Sequence, residues 1–295
     1  MLLTAAGLLL LAGVLIWPVQ RAMVRRHIFR REPLLSLLVW KAVSLTAVLS
    51  LLAVGPLTFF LLRGSLDRPG PFALAGGALV VTALMVLRLG LSAHTVGMSL
   101  RRTRRQHLEL LELVGAQFAQ LELPTSRRLR VIDHPTPTAY CVPGVRNRVV
   151  VSTGMLATLG NEEVAAVLAH ERAHVKHRHD LLVEFFTVLH NAMPPRLRQE
   201  DTLAEVRLLA EVLADRAAAR VVGPVAMGRA LVALAHAPHP PATLAAAPAA
   251  GAARVRISLL TQAGERDWFM VGVMTAYAVF ILALPFALVG SVAGY

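Results

Sequence analysis

The chain is poor in charge, in aromatic residues and in cysteine. Charged residues make up 16% and aromatics 5% of its 295 positions, and Cys141 is its one cysteine. A single thiol excludes an intrachain disulfide framework and a zinc cluster ligated by cysteines. Lysine is almost missing, since only Lys41 and Lys176 stand among the 30 basic residues. Acidic residues number 18, which leaves a net charge of +12. An excess of this kind suits either nucleic acid or a membrane surface. Here the arginines fall beside apolar runs, which favours membrane topology and argues against direct nucleic-acid binding. Apolar residues are what the chain has in plenty. They reach 56%, with a mean hydropathy of +0.59, more than a soluble chain of this length averages.

Four apolar runs are long enough to cross a bilayer as helices. They cover about 2–17, 42–62, 71–90 and 268–290. The first lacks a basic leading region and a small-residue cleavage site, so it is expected to be a retained anchor. Pro56 and Pro285 lie inside two spans and are expected to kink them, which neighbouring helices accommodate. Arg21, Arg25, Arg26, Arg30 and Arg31 follow the first span, and Arg101, Arg102, Arg104 and Arg105 follow the third. The positive-inside rule therefore puts the first loop and the segment after span three in the cytosol of a multi-pass cell-membrane protein, with both termini external. Lys41 and Arg88 are expected to snorkel from nearby span ends.

This gives a mostly α fold in three parts. Residues 1–90 form a membrane domain, 91–267 a cytosolic α+β domain, and 268–295 the fourth span with a short tail. Within the insert, residues 103–123 have helical apolar spacing and are expected to be amphipathic. Short β-like segments follow at 129–132, 139–142 and 148–152, with Pro143-Gly144 as a turn. Asn161 is expected to cap a helix whose first turn carries Glu162 and Glu163 and which runs to about His177. Further helices are expected over 181–191, 202–222 and 225–236. The Ala/Pro-rich stretch 237–253 reads as a linker back to the membrane.

Chemistry concentrates in His170-Glu171-Arg172-Ala173-His174. Histidines four apart on a helix share one face and can hold one zinc ion. Glu171, next to the first, is placed to take a proton from the attacking water as general base. The apolar lead-in Val164 to Leu168 supports a packed helix rather than a surface one. A third ligand must come from elsewhere. His177 lies about 10 Å along the axis from His170, and no glycine breaks the helix to bring it closer. Glu211 is preferred, because Asp215 one turn on can hydrogen-bond a ligand histidine, as in gluzincins. Glu205 is the rival, but Leu209 stands where its partner should be. His177, His179 and Lys176 read as cations favoured at a helix C-terminus. Tyr140, His190, Arg216 and Arg220 are all open as substrate or oxyanion contacts. The strand carrying Tyr140 could also pair with an extended peptide.

The run AAVLAHERAHVKHRHD at 165–180, three spans before it, one after it, and the Glu211–Asp215 pair resemble the BlaR/MecR-type membrane metallopeptidases of peptidase family M56. The HERAH variant in an Arg- and Ala-rich chain is similar to the actinobacterial branch. The resemblance implies a cytosolic gluzincin domain between spans three and four. Its zinc ligands would be His170, His174 and Glu211, with Glu171 as base and Asp215 behind a ligand. It further implies a protein substrate, a BlaI-type repressor or the protease itself, cut in response to a signal, with a homodimer left open. Sensor members carry a penicillin-binding domain after the last span. This chain ends at Tyr295, so sensing through an acylated serine is not expected. An HtpX-like quality-control protease is the alternative, although no convincing span follows the motif between Leu181 and Leu260. A metal-binding receptor or transporter without catalysis is a third reading, which would not need Glu171.

Overall fold

The computed structural model describes residues 2–115, 129–142, 148–235, 249–262 and 267–293. The turn expected at Pro143-Gly144 and the end of the amphipathic helix beyond Gly115 lie outside these. The helices run α1 (Leu2–Val14), α2 (Gln20–Arg25), α3 (Pro33–Leu62) and α4 (Pro69–Gly115). Strands β1 (Leu129–Ile132), β2 (Ala139–Val142) and β3 (Arg148–Ser152) follow. Then come α5 (Thr153–Thr158), α6 (Asn161–His177), α7 (His179–Ala192), α8 (Glu200–Val222), α9 (Pro224–Ala235), α10 (Ala249–Thr261) and α11 (Trp268–Ala293). Two compact units emerge: Met1–Thr95, Phe186–Val206 and Arg266–Tyr295 form one, Val96–Phe185 and Arg207–Glu265 the other. Phe186–Val206 therefore groups with the apolar helices, not with the rest of the insert.

Among the described residues four stretches are long and apolar enough to cross a membrane: Leu3–Arg25, Pro33–Ser65, Pro69–Thr103 and Trp268–Gly290, all in the first unit except the end of the third. The first three run further than their apolar runs alone indicate, because helix continues into polar ends. Each proline break is met by a side chain from another element. Pro285 in α11 has no N–H for the carbonyl of Ile281, and the Thr46 hydroxyl of α3 donates to that oxygen at 3.1 Å. Beside Pro56 of α3, the N–H of Gly55 donates to Thr82 Oγ1 of α4 at 3.1 Å, and that hydroxyl donates on to the carbonyl of Leu51 at 3.3 Å. The Thr82 hydroxyl thus sits within a helical hydrogen bond. Gly55 is required, since an added Cβ would overlap Thr82 Oγ1. Around Pro18 the chain loosens into a π turn, Leu15–Val19, and Gln199 donates its side-chain amide to the carbonyl of Ile16.

Arg88 does not snorkel. Its guanidinium caps the end of α7, donating to the carbonyls of Ala192 at 2.6 Å and Met193 at 3.1 Å. Nearby, Ser92 donates to the carbonyl of Val188 at 2.7 Å. Carbonyls at a helix C-terminus have no intrahelical partner, and a cation satisfies them with charge as well as geometry.

The second unit carries a three-stranded sheet of order β1-β3-β2, with β1 parallel and β2 antiparallel to β3. The chain leaves β3 through α5, where Ser152 Oγ accepts from the N–H of Met155 at 3.0 Å. Gly154 allows the Pro135 carbonyl to approach where any Cβ would collide. Helix α6 starts from a cap at Gly160, one residue before the expected Asn161, and Glu163 accepts from the N–H of Gly160 at 2.9 Å. Val151, Met155, Ala166, Val167, Ala218, Met227, Ala230 and Leu231 form a core with Leu260. Residues 249–253, expected to be linker, are instead the first turns of α10.

Candidate metal centre

Two turns of α6 and one face of α8 build the site. On α6 the buried positions are Ala166, Val167, His170 and Ala173, so the face that packs into the core also carries the first histidine. On α8 the buried Val212, Ala214 and Ala218 fix the helix so that Glu211 and Asp215, one turn apart, turn the same way. His170 Nε2 lies 3.0 Å from His174 Nε2. The Glu211 carboxylate closes the triangle, with Oε2 3.4 Å from His170 Nε2 and Oε1 3.3 Å from His174 Nε2.

That triangle fits zinc. Bonds of about 2.0–2.1 Å to tetrahedral zinc set ligand atoms about 3.3 Å apart, and the edges of 3.4 and 3.3 Å match that spacing while the edge between the histidines, at 3.0 Å, is slightly shorter. His170, His174 and Glu211 are the one group of metal-capable side chains found among the described residues. Two imidazoles and one carboxylate are also a donor set that suits zinc in a site with an open fourth position.

Behind the triangle stand groups that orient it. Asp215, 1% exposed, approaches His170 Nδ1 with Oδ1 at 2.9 Å. The contact is close but bent, so by angle Nδ1 lacks an aligned acceptor. Asp215 is itself gripped by Arg256 from α10, which donates from Nε to Oδ2 at 2.7 Å and from Nη2 to Oδ1 at 2.6 Å. A third contact runs from Arg256 Nη1 to Glu211 Oε2 at 3.1 Å. His179 Nδ1 lies 3.0 Å from His174 Nδ1.

The electrostatics describe a well made for positive charge. Burial works against a charged His170, but the hydrogen bonds to Asp215 and Glu211 outweigh it and raise its pKa to about 10. Burial likewise works against ionised Glu211. The hydrogen bonds to His170 and His174, with the Arg256 charge, hold it well below the usual carboxylate range. Asp215 is depressed in spite of burial by its paired bonds to Arg256. Burial, with His174 and His177 as further opposition, lowers His179 to about 3 and keeps it neutral. Arg256 keeps its charge against burial because Asp215, Glu211 and Glu171 surround it. A divalent cation in the triangle would meet this same field.

Other sequence candidates separate. Glu205 is not a rival ligand: it is buried in the first unit and takes both Arg30 bonds, at 2.7 and 2.6 Å. Glu171 is half-buried on α6 beside His170. Tyr140 lies on β2 opposite Val150 and packs against it, and burial raises its pKa. His190 belongs to the first unit, where Nε2 contacts Glu200 Oε1 at 3.0 Å. Arg216 is half-buried and Arg220 exposed on α8. Sequence reasoning missed Arg256 altogether and set His179 aside. Arg256 is 41 residues from Asp215 along the chain, beyond the Ala/Pro-rich stretch, and no motif marks it.

Compared with known proteins, residues 101–195 match peptidase family M48. The match covers less than half of the chain and supports a metallopeptidase. It differs from the M56 family expected on the motif and the span order. It includes α6, with both histidines and Glu171, but stops before α8. Glu211 therefore joins the site on geometry independent of the match. No solved structure matches the chain.

Proposed function

We propose that the chain is a membrane-anchored zinc endopeptidase whose metal is held by His170, His174 and Glu211. The observation that carries the reading is the triangle of Nε2, Nε2 and carboxylate atoms at 3.0 to 3.4 Å. Zinc bound there would polarise the scissile carbonyl and acidify water. Glu171, adjacent to His170, takes the proton from the attacking water and passes it to the leaving amine. Asp215 fixes the His170 ring, and Arg256 fixes Asp215. Tyr140, on a strand packed near the site helix, is the residue we assign to contact with an extended substrate. His190, Arg216 and Arg220 keep no such role in this reading.

The partial M48 match favours an HtpX-like protease that degrades faulty membrane proteins. The arginines after the first and third spans favour a cytosol-facing site with external termini. A repressor-cleaving protease of the BlaR type is the second reading. It is favoured by three candidate spans before the site helix and one after it.

The test is cleavage of an unstructured reporter, with bound zinc measured on the same sample. Glu171→Gln keeps one zinc per chain and loses at least 100-fold in rate. Equal rates for the variant and the parent would refute the assignment of the base. Co-expression with a BlaI-type repressor separates the two substrate readings, since only the second gives a discrete cut.

A further inference from the structure

We propose that His179 is a positioning residue, whose Nδ1 accepts the proton on Nδ1 of His174 and so holds His174 with Nε2 turned to the metal. The inference deepens the zinc reading above and rests on it. Its ground is geometric. The two Nδ1 atoms are 3.0 Å apart, the rings meet edge to face with centroids 4.8 Å apart, and His179 is 5% exposed. The other nitrogen of His174 faces His170 Nε2 at 3.0 Å and Glu211 Oε1 at 3.3 Å.

The proton count then follows. An imidazole that binds a cation through Nε2 carries its one proton on Nδ1. That proton needs an acceptor, and His179 Nδ1 is the atom in reach. His179 must therefore be neutral with its own proton on Nε2. Metal-bound histidines are more commonly backed by a carboxylate, a carbonyl or water. In this site the backing is uneven, with an anion behind His170 and a neutral ring behind His174.

The local backbone explains how the rings come to meet. On an unbroken helix, residues five apart point about 140° away from each other. Here α6 ends at His177, and Arg178 adopts a left-handed conformation with φ 51° before α7 begins at His179. That one residue turns His179 toward the last turn of α6. The contact accounts for a non-glycine residue in a conformation that costs about 1–2 kcal/mol.

The test uses the full-length chain in detergent, with zinc affinity measured by competition against a chromophoric chelator. Asparagine carries Oδ1 where histidine carries Nδ1, so His179→Asn keeps an acceptor and binds zinc within about threefold of the parent. His179→Phe removes the acceptor and loosens zinc about 10–100-fold. His179→Asp supplies an anion, binds zinc at least as tightly, and shifts the visible spectrum of the cobalt-loaded protein. Parent-like affinity in the Phe variant, alongside zinc loss in His170→Ala, would overturn the proposal and leave the zinc reading standing. If the Phe variant does not fold, the Asp and Asn variants decide, and tenfold weaker binding in both overturns it. A parent chain that binds no zinc overturns both readings together.

Discussion

At the scale of single residues, the site consists of charges that are each held by another. Arg256 is central to that arrangement, because it donates twice to Asp215 and once to Glu211. Arg256→Met leaves the buried Asp215 carboxylate without its cation. Breaking a buried pair in this way costs about 3–5 kcal/mol, and zinc affinity is expected to fall about 10–100-fold with it. Thermal unfolding and chelator competition measure the two effects. The double variant Arg256→Met, Asp215→Asn should recover part of the stability and none of the affinity. Glu211→Ala should abolish zinc binding at micromolar metal. Glu205→Ala should leave zinc bound and instead weaken the fold, because it strands Arg30. Sequence spacing alone preferred Glu211 to Glu205. The structure gives the physical reason, which is that Glu205 already has a partner.

At the scale of elements, much was legible. The three strands lie over 129–132, 139–142 and 148–152 as expected, since each is a short segment carrying Val, with Ile, Tyr or further Val beside it, that suits a strand. The helix of the histidines ends at His177 as its pattern indicated. The break after it was expected, but not its tightness: α7 begins at His179 rather than 181, across one left-handed residue that is expected to be glycine and here is Arg178. Arg178→Gly should relieve that strain and raise stability by about 1 kcal/mol, read as an upward shift in Tm without change in zinc affinity. Accommodation of the prolines by neighbouring helices was expected, but not which side chains supply it. Thr46→Val keeps shape and removes the hydroxyl that serves the Ile281 carbonyl. A loss of about 1 kcal/mol is expected, in line with hydrogen bonds between membrane helices. Unfolding in detergent checks it.

At the scale of the whole molecule, four apolar helices and one metal triangle define what the chain needs from its surroundings. The helices should keep it in the pellet after an alkaline carbonate wash of membranes, as integral proteins remain. The triangle should couple metal to stability. Zinc held there would favour the folded chain over the unfolded one, so its removal by a chelator is expected to lower Tm by mass action. A Tm unchanged by chelation would count against a metal in this place. The division into two units cuts across α4, α7 and α8, with outer limits at Thr95 and Arg266 close to the expected 90 and 267, and it differs from the sequence expectation in assigning Phe186–Val206 to the first unit. Apolar content marks where a chain meets lipid, but it does not reveal that Phe186–Val206 packs with those helices.

The sequence by itself determined the spans, the strand segments, and the two histidines with Glu171 on one helix. These follow from composition and from the 3.6-residue period, which are local properties. Only the tertiary structure brought Glu211 within 3.4 Å of the histidines, tied Asp215 to Arg256, and set His179 behind His174. Each of those depends on packing between segments distant in the chain or on a single backbone angle, and no local period encodes either.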